Sequence, residues 1–85
     1  MSIVKTKSKY GWKLYEWDAD FGDMLHREYY SSKKEALKAL KGYIKDAEAE
    51  GWECRWLAPG RALCSKCDEE GCYNREVGIE RTYLP

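Results

Sequence analysis

Apolar and aromatic side chains alternate with polar ones in the first part of the chain, which is the period-two pattern of a β-strand. In the predicted strand over residues 9–17, one face would carry Tyr10, Trp12, Leu14 and Glu16, and the other Lys9, Lys13, Tyr15 and Trp17. Residues 24–30 are typical of a return strand, and the Asp- and Gly-containing run 18–23 favours a turn between the two. The pattern predicts a β-hairpin whose register is not fixed by this loop length.

The spacing of apolar residues then changes from two to 3.6, which predicts an amphipathic helix. Ser32 followed three residues later by Glu35 is a capping-box pattern, and Gly51 suits the position just after a helix end. The stripe expected to face the core consists of Ala36, Leu37, Leu40, Tyr43, Ile44 and Ala47.

In the second half of the chain, the pattern of residues predicts further strands over residues 52–56 and 75–83, and a short one over 61–64. The expected fold class is α+β: an antiparallel sheet of three to four strands with one amphipathic helix on one face. Such a helix-on-sheet arrangement buries both apolar surfaces. Residues 1–85 would form a single domain, with a ββαβ core over 9–57 and a cysteine loop and C-terminal strand over 58–85.

The chain is small, with 85 residues, and its aromatic content is high, with four Trp, seven Tyr and one Phe. A domain of this size has a marginal core, and surplus Trp and Tyr are frequent anchors at binding surfaces. The formal net charge is zero, which argues against a dedicated nucleic-acid binder. However, residues 1–45 hold ten basic and six acidic side chains, whereas residues 46–85 hold five and nine.

The sequence contains no apolar run long enough for a membrane span, and residues 1–5 do not look like a signal peptide. We therefore expect a cytoplasmic protein without a membrane partner. Thiols stay reduced in the cytoplasm, so four Cys there indicate a metal site or buried thiols before disulfides.

Cys64 and Cys67 have the Cys-x-x-Cys spacing with which two thiolates bind one Zn²⁺. Cys72 follows five residues later, and Cys54, or His26 in its place, would complete a closed structural zinc site. Unligated thiols and disulfides remain the alternatives. Such a site would stabilise this half of the fold, because its binding energy is folding energy.

Two surfaces are candidates for binding. Lys9, Lys13, Tyr15 and Trp17 share one strand face, which Arg27 and Tyr29 would join in a suitable register, and together they form the predicted partner-binding set. Lys34, Lys38, Lys41 and Lys45 fall at helical spacing and form a basic ridge, whose ordinary interpretation is a solvated helix face. The acidic turn over 18–23 does not match an EF-hand loop, although it could serve as an acidic docking loop.

The order of a Trp-rich hairpin, a Ser-Ser-Lys-Lys-Glu-Ala helix and Gly51-Trp52 before Cys-x-x-Cys resembles small bacterial and phage ββαβ domains. Residues 10–47 also resemble, more weakly, the arm-binding domains of tyrosine recombinases, which have three strands before the helix where only two are readable here. No functional residue is carried over from either family.

A single His, the lack of a Gly-rich phosphate loop and the lack of a nucleophile–base pattern argue against an enzyme, and no small-molecule substrate is expected. The leading hypothesis is a non-catalytic protein-binding module, of the kind that phages and mobile elements encode to modulate a host machine, with an anti-defence role included. The alternative is a nucleic-acid-binding accessory domain that uses the Lys/Tyr/Trp face and the basic ridge.

Overall fold

The computed structural model describes residues 10–84, which form one five-stranded antiparallel sheet with one helix against it. The elements in chain order are β1 (Tyr10–Asp18), β2 (Met24–Tyr30), α1 (Lys33–Ala49), β3 (Glu53–Ala58), β4 (Arg61–Asp68) and β5 (Gly71–Tyr83). The strand order across the sheet is β2-β1-β5-β4-β3, so α1 connects the two edge strands. The α+β fold class is confirmed, but the predicted three to four strands were too few.

The hairpin of β1 and β2 has the period-two pattern that the sequence predicts. Lys13 lies opposite Tyr29 and Tyr15 opposite Arg27, and a bulge shifts the register between Glu16 and Trp17. Directly opposite residues point to the same side of a sheet. The register therefore brings Arg27 and Tyr29 to the same face as Lys13 and Tyr15.

Helix α1 begins and ends where the capping signals predict. The Ser32 hydroxyl accepts a hydrogen bond from the backbone N–H of Glu35 at 3.2 Å, which satisfies one of the unpaired donors at the helix start. The Glu35 carboxylate in turn accepts from the hydroxyls of Ser31 and Ser32. Gly51 follows the C-terminal residues with a φ of 99°, a left-handed conformation that favours glycine.

The segment predicted as a cysteine loop is a β-hairpin instead. Strand β4 continues to Asp68 and β5 starts at Gly71, with Cys67 directly opposite Cys72. The long strand β5 then runs between β1 and β4 at the centre of the sheet. Polar residues fill much of this hairpin, and for that reason the alternation there is too weak to predict strands.

The core lies between α1 and one face of the sheet, called here the covered face. Its buried members are Leu14, Leu40, Ile44, Ala62, Cys64 and Val77. Burying one such aliphatic side chain contributes roughly 1.5–3 kcal/mol. The predicted helix stripe provides Ala36, Leu40 and Ile44 to this layer, which confirms its orientation.

Candidate binding surfaces

All four cysteines form disulfides, which overturns the predicted zinc site. Cys54 on β3 is bonded to Cys64 on β4, and Cys67 on β4 to Cys72 on β5. No cluster of three or more His, Cys, Asp or Glu side chains suited to a metal occurs among residues 10–84. His26, the alternative ligand, contacts Glu28 instead, at 2.9 Å.

The strand conformation of the Cys-x-x-Cys segment explains why this prediction was wrong. Residues three apart on a strand point to opposite faces, so Cys64 and Cys67 cannot bind the same ion. Cys64 is 2% exposed in the core, whereas Cys67 and Cys72 are exposed on the other face. Each thiol thus meets the Cys directly opposite it on the neighbouring strand.

The disulfides also bear on the cellular location. Disulfides persist mainly in oxidising compartments, so two of them argue against the predicted cytoplasmic location. Within residues 10–84, the helix is neither long nor apolar enough to cross a bilayer.

The side of the sheet opposite α1, called here the open face, carries five of the six predicted partner-binding residues. These are Lys13, Tyr15, Trp17, Arg27 and Tyr29. Lys9, the sixth, lies outside the described residues. No helix or strand of the described chain lies over this face, because α1 packs on the covered face and the C-terminal strand is a member of the sheet.

Two of these five residues are held by cross-strand partners on β5. The Lys13 ammonium lies 3.3 Å from the Glu80 carboxylate, and the Tyr15 hydroxyl donates to Glu76 at 2.7 Å. Burial and the hydrogen bond to Glu76 raise the pKa of Tyr15. The Tyr15 ring also lies close over Gly78, where a Cβ atom would be only 2.7 Å from its hydroxyl. Lys13 and Tyr15 are therefore held in place on the open face by their contacts with β5.

The other three residues remain accessible. Trp17 is 37% exposed and Tyr29 is 40% exposed, and Arg27 is exposed on the same face. Arg27 forms no ion pair with the described residues. Large rings beside an accessible guanidinium are the side chains most enriched among interface hot spots.

The turn between β1 and β2 and the strand ends beside it, called here the hairpin tip (residues 18–25), expose a further apolar group that the pattern of the sequence did not indicate. Phe21 is 81% exposed, with Met24 at 38% and Leu25 at 43% beside it. Three aspartates, at positions 18, 20 and 23, give the tip a negative charge. The sequence predicted the acidic turn but not the exposure of Phe21, because a single ring in a short turn belongs to no periodic pattern.

Hydrogen bonds to β5 brace this tip. The backbone N–H and the side-chain amide of Asn74 donate to the Asp20 carboxylate at 3.0 and 3.1 Å, and the Asn74 carbonyl accepts from the backbone N–H of Ala19 at 3.0 Å. Asp18 accepts from the backbone N–H groups of Asp20 and Phe21. A tip fixed in this way presents Phe21 with little further ordering on binding.

One end of the covered face holds a charged network beside α1. Glu16 is 6% exposed, and its carboxylate accepts from the Tyr43 hydroxyl and pairs with Arg75 at 2.7 Å. The Arg75 guanidinium also lies 4.8 Å from the centre of the Trp52 ring. Burial and the bond to Glu16 raise the pKa of Tyr43. This network connects α1 to the sheet. In the sequence, it is indicated by Glu16, an acidic residue two positions after Leu14 on an otherwise apolar strand face.

The predicted basic ridge of Lys34, Lys38, Lys41 and Lys45 lies on the outer side of α1, and all four lysines are exposed. Since α1 covers one face of the sheet, the ridge and the open face are on opposite sides of the protein. The Lys/Tyr/Trp face and the ridge, which the alternative hypothesis combined, therefore do not form one continuous surface.

Comparisons with protein-family models, curated proteins and solved structures found no match. The resemblances to phage ββαβ domains and to recombinase arm-binding domains thus stay predictions, and function has to be inferred from the residues themselves.

Proposed function

We propose that this protein is a small, non-catalytic protein-binding module that meets its partner through the open face and the hairpin tip. The observation that carries the proposal is a sheet face that no helix or strand of residues 10–84 covers, on which Trp17, Arg27 and Tyr29 stay accessible. In a two-layer α+β domain, a helix buries only one side of the sheet. Exposed rings on the other side favour a partner.

The charge of the open face favours a protein over a nucleic acid. Among residues 10–84, strand alternation assigns seven charged residues to this face: Lys13, Arg27, Arg55, Arg61, Glu53, Glu76 and Glu80. Four cations and three anions leave it almost neutral, and Lys13 is already paired with Glu80. Nucleic-acid surfaces are strongly positive because they replace counterions on phosphates. A mixed surface with aromatic anchors is typical of protein interfaces.

The hairpin tip extends the surface with a second, acidic part. Phe21 would enter an apolar pocket on the partner, and the Asp residues around it favour basic residues at the rim of that pocket. The braced backbone of the tip lowers the entropy lost on binding. The partner that fits best has an apolar pocket with a basic rim beside a flatter, mixed surface.

The biological setting is part of the same proposal. The resemblance in the segment from Ala47 to Cys67 supports an accessory protein of a phage or mobile element, with an anti-defence role as one form. Two disulfides support a site of action in an oxidising compartment rather than in the cytoplasm. The partner would then be a component that is reachable from such a compartment.

Affinity capture with matched variants tests the proposal. The wild-type chain, the open-face variant Arg27→Glu/Tyr29→Ala and the ridge variant Lys38→Glu/Lys45→Glu would each be immobilised after circular dichroism has shown the same fold. We expect one partner to be recovered by the wild type and by the ridge variant, and at least tenfold less by the open-face variant. A partner lost equally from both variants, or no partner at all, would contradict the proposal.

A further inference from the structure

A groove follows the flank of α1 that carries Lys33 and Lys41. Two neighbouring clefts, of about 390 Å³ and about 310 Å³, both have Pro59 in their wall. The first lies between Lys41 and Trp56, and the second lies between Lys33 and Trp12. Together they form a groove with an indole at each end and with Lys33 and Lys41 in its helical wall, called here the basic groove. The other ridge lysines, Lys34, Lys38 and Lys45, line neither cleft and are exposed on α1.

The two flanks of α1 differ in charge. Lys34, Lys38, Lys41 and Lys45 form no ion pair with any carboxylate of residues 10–84. The cleft beyond the other flank is lined instead by Glu16, Asp46 and Glu50, with Arg75 as its cation. The charge imbalance along the sequence thus becomes a difference in potential across one helix, with the positive side at the basic groove.

Of the two indoles in the groove, Trp56 is the one accessible for stacking. Trp56 is 43% exposed on the edge strand β3, beside Lys41. Trp12 is partly buried, and the Lys33 ammonium lies 5.3 Å from the centre of its ring. An accessible indole next to a row of lysines is the combination with which proteins hold unpaired bases and their phosphates.

We propose that the basic groove binds single-stranded nucleic acid, with phosphates along the ridge lysines and a base stacked on Trp56. A duplex keeps its bases stacked inside, so it offers phosphates to the ridge but no free base to Trp56. The eleven-residue separation of Lys34 and Lys45 spans roughly 16 Å of helix, enough for several phosphates. This site is independent of the proposed protein-binding surface, which lies on the other side of the sheet.

The number of lysines sets the expected salt dependence. Four phosphate contacts on a single strand predict a slope of about −2.8 in a plot of log affinity against log salt. Raising the salt from about 50 to about 200 mM would then weaken binding by about 50-fold. Loss of two lysines would reduce the slope by about 1.4.

Fluorescence anisotropy with a labelled oligothymidylate tests the site on the full, oxidised chain. We expect binding by the wild type and, within twofold, by the open-face control Arg27→Glu. Lys38→Gln/Lys41→Gln should bind at least tenfold more weakly and with the shallower salt slope. Trp56→Ala should lose roughly 5- to 150-fold in affinity, the range for one stacked base, with an unchanged slope.

Four results would overturn the proposal. The first is the absence of binding at low salt, and the second is a Lys38→Gln/Lys41→Gln variant that binds as tightly as Arg27→Glu. The third is competition by a duplex of the same length that is as effective as competition by the single strand, and the fourth is an unchanged affinity of Trp56→Ala. Either of the last two removes base stacking. Circular dichroism of each variant separates loss of the site from loss of the fold.

Discussion

The two faces of the sheet come from the same five strands, yet different interactions hold them. On the covered face, Leu14 and Val77 pack under Leu40 and Ile44 of α1 and lose almost all contact with solvent. On the open face, ordered side chains are held by polar pairs such as Tyr15 with Glu76. Among residues 10–84, apolar burial therefore stabilises the sheet from the covered face, whereas rings such as Trp17 and Tyr29 stay accessible on the open face.

The largest expected effect comes from the core. Leu40→Ala removes a fully buried side chain under the sheet and should lower the free energy of unfolding by about 2–5 kcal/mol. Tyr29→Ala on the open face should change it by no more than about 0.5 kcal/mol. Urea unfolding of both variants measures the contrast, and a Tyr29→Ala variant as unstable as Leu40→Ala would mean that the open face is packed.

The two disulfides sharpen the comparison, because one lies on each face. Replacing both Cys54 and Cys64 by Ala should lower the free energy of unfolding by about 3 kcal/mol, since the pair closes a ten-residue separation and packs in the core. The same change at Cys67 and Cys72, five residues apart and exposed, should cost about 2 kcal/mol.

Mild reduction followed by alkylation and mass mapping compares the same two disulfides without mutation. Access of the reductant should decide the order, so Cys67 and Cys72 should be labelled well before Cys64, which is 2% exposed. Labelling of Cys64 first would contradict its placement in the core.

Two glycines test the space on either side of the sheet. A Cβ atom at Gly78 would lie 2.7 Å from the Tyr15 hydroxyl and 2.9 Å from the backbone oxygen of Gly60, so Gly78→Ala should destabilise the fold by about 1–3 kcal/mol. A Cβ atom at Gly42, in the exposed middle of α1, would meet nothing within 4 Å. Gly42→Ala should therefore stabilise the helix by about 1 kcal/mol. Thermal unfolding distinguishes the two signs.

The charged pairs of the two faces should differ in strength. Glu16→Gln removes a charge whose side chain is 8% exposed and leaves Arg75 without its partner, although that guanidinium is itself 40% exposed. We expect a loss of about 1–2 kcal/mol, less than for a fully buried pair. Glu80→Gln breaks the more exposed pair with Lys13 and should stay within about 0.5 kcal/mol. Equal losses would contradict the difference in burial.

The loss of stability at alkaline pH is the smallest and most gradual of the expected effects. Burial and hydrogen bonds to carboxylates raise the pKa values of Tyr15 and Tyr43 above the usual value of about 10. The folded chain therefore keeps protons that the unfolded chain has lost, and stability should fall as the pH rises above about 10. Urea midpoints across this range should fall less steeply for Tyr15→Phe and for Tyr43→Phe than for the wild type.

Local patterns were enough to predict much of the fold. The alternation in β1 and the capping of α1 by Ser32 depend on residues close in sequence, and both are confirmed. The central position of β5 depends instead on its pairing with β1, such as Leu14 opposite Ile79. Partners so far apart along the chain leave no local pattern.

In the candidate sites too, features that depend on neighbouring residues were predictable and features that depend on distant pairs were not. Spacing was sufficient to place Lys13, Tyr15 and Trp17 on one face of β1 and the four ridge lysines on the outer side of α1, although only the register could show that Arg27 joins Tyr15. The brace of the hairpin tip joins Asp20 to Asn74, and the buried network joins Glu16 to Arg75, so neither is visible locally. The zinc prediction failed because a Cys-x-x-Cys spacing indicates a metal only when the chain turns between the two thiols.

Hydroxyl-radical footprinting of the full chain, alone and with its captured partner, tests the central claim most directly. In the free chain, Trp17 and Tyr29 should be oxidised readily, like Phe21, whereas Leu14 and Leu40 should be protected. Addition of the partner should then protect Trp17, Phe21 and Tyr29 while the ridge side of α1 keeps its reactivity. Protection of Trp17 and Tyr29 already in the free chain would show that the open face is covered, and would contradict the account.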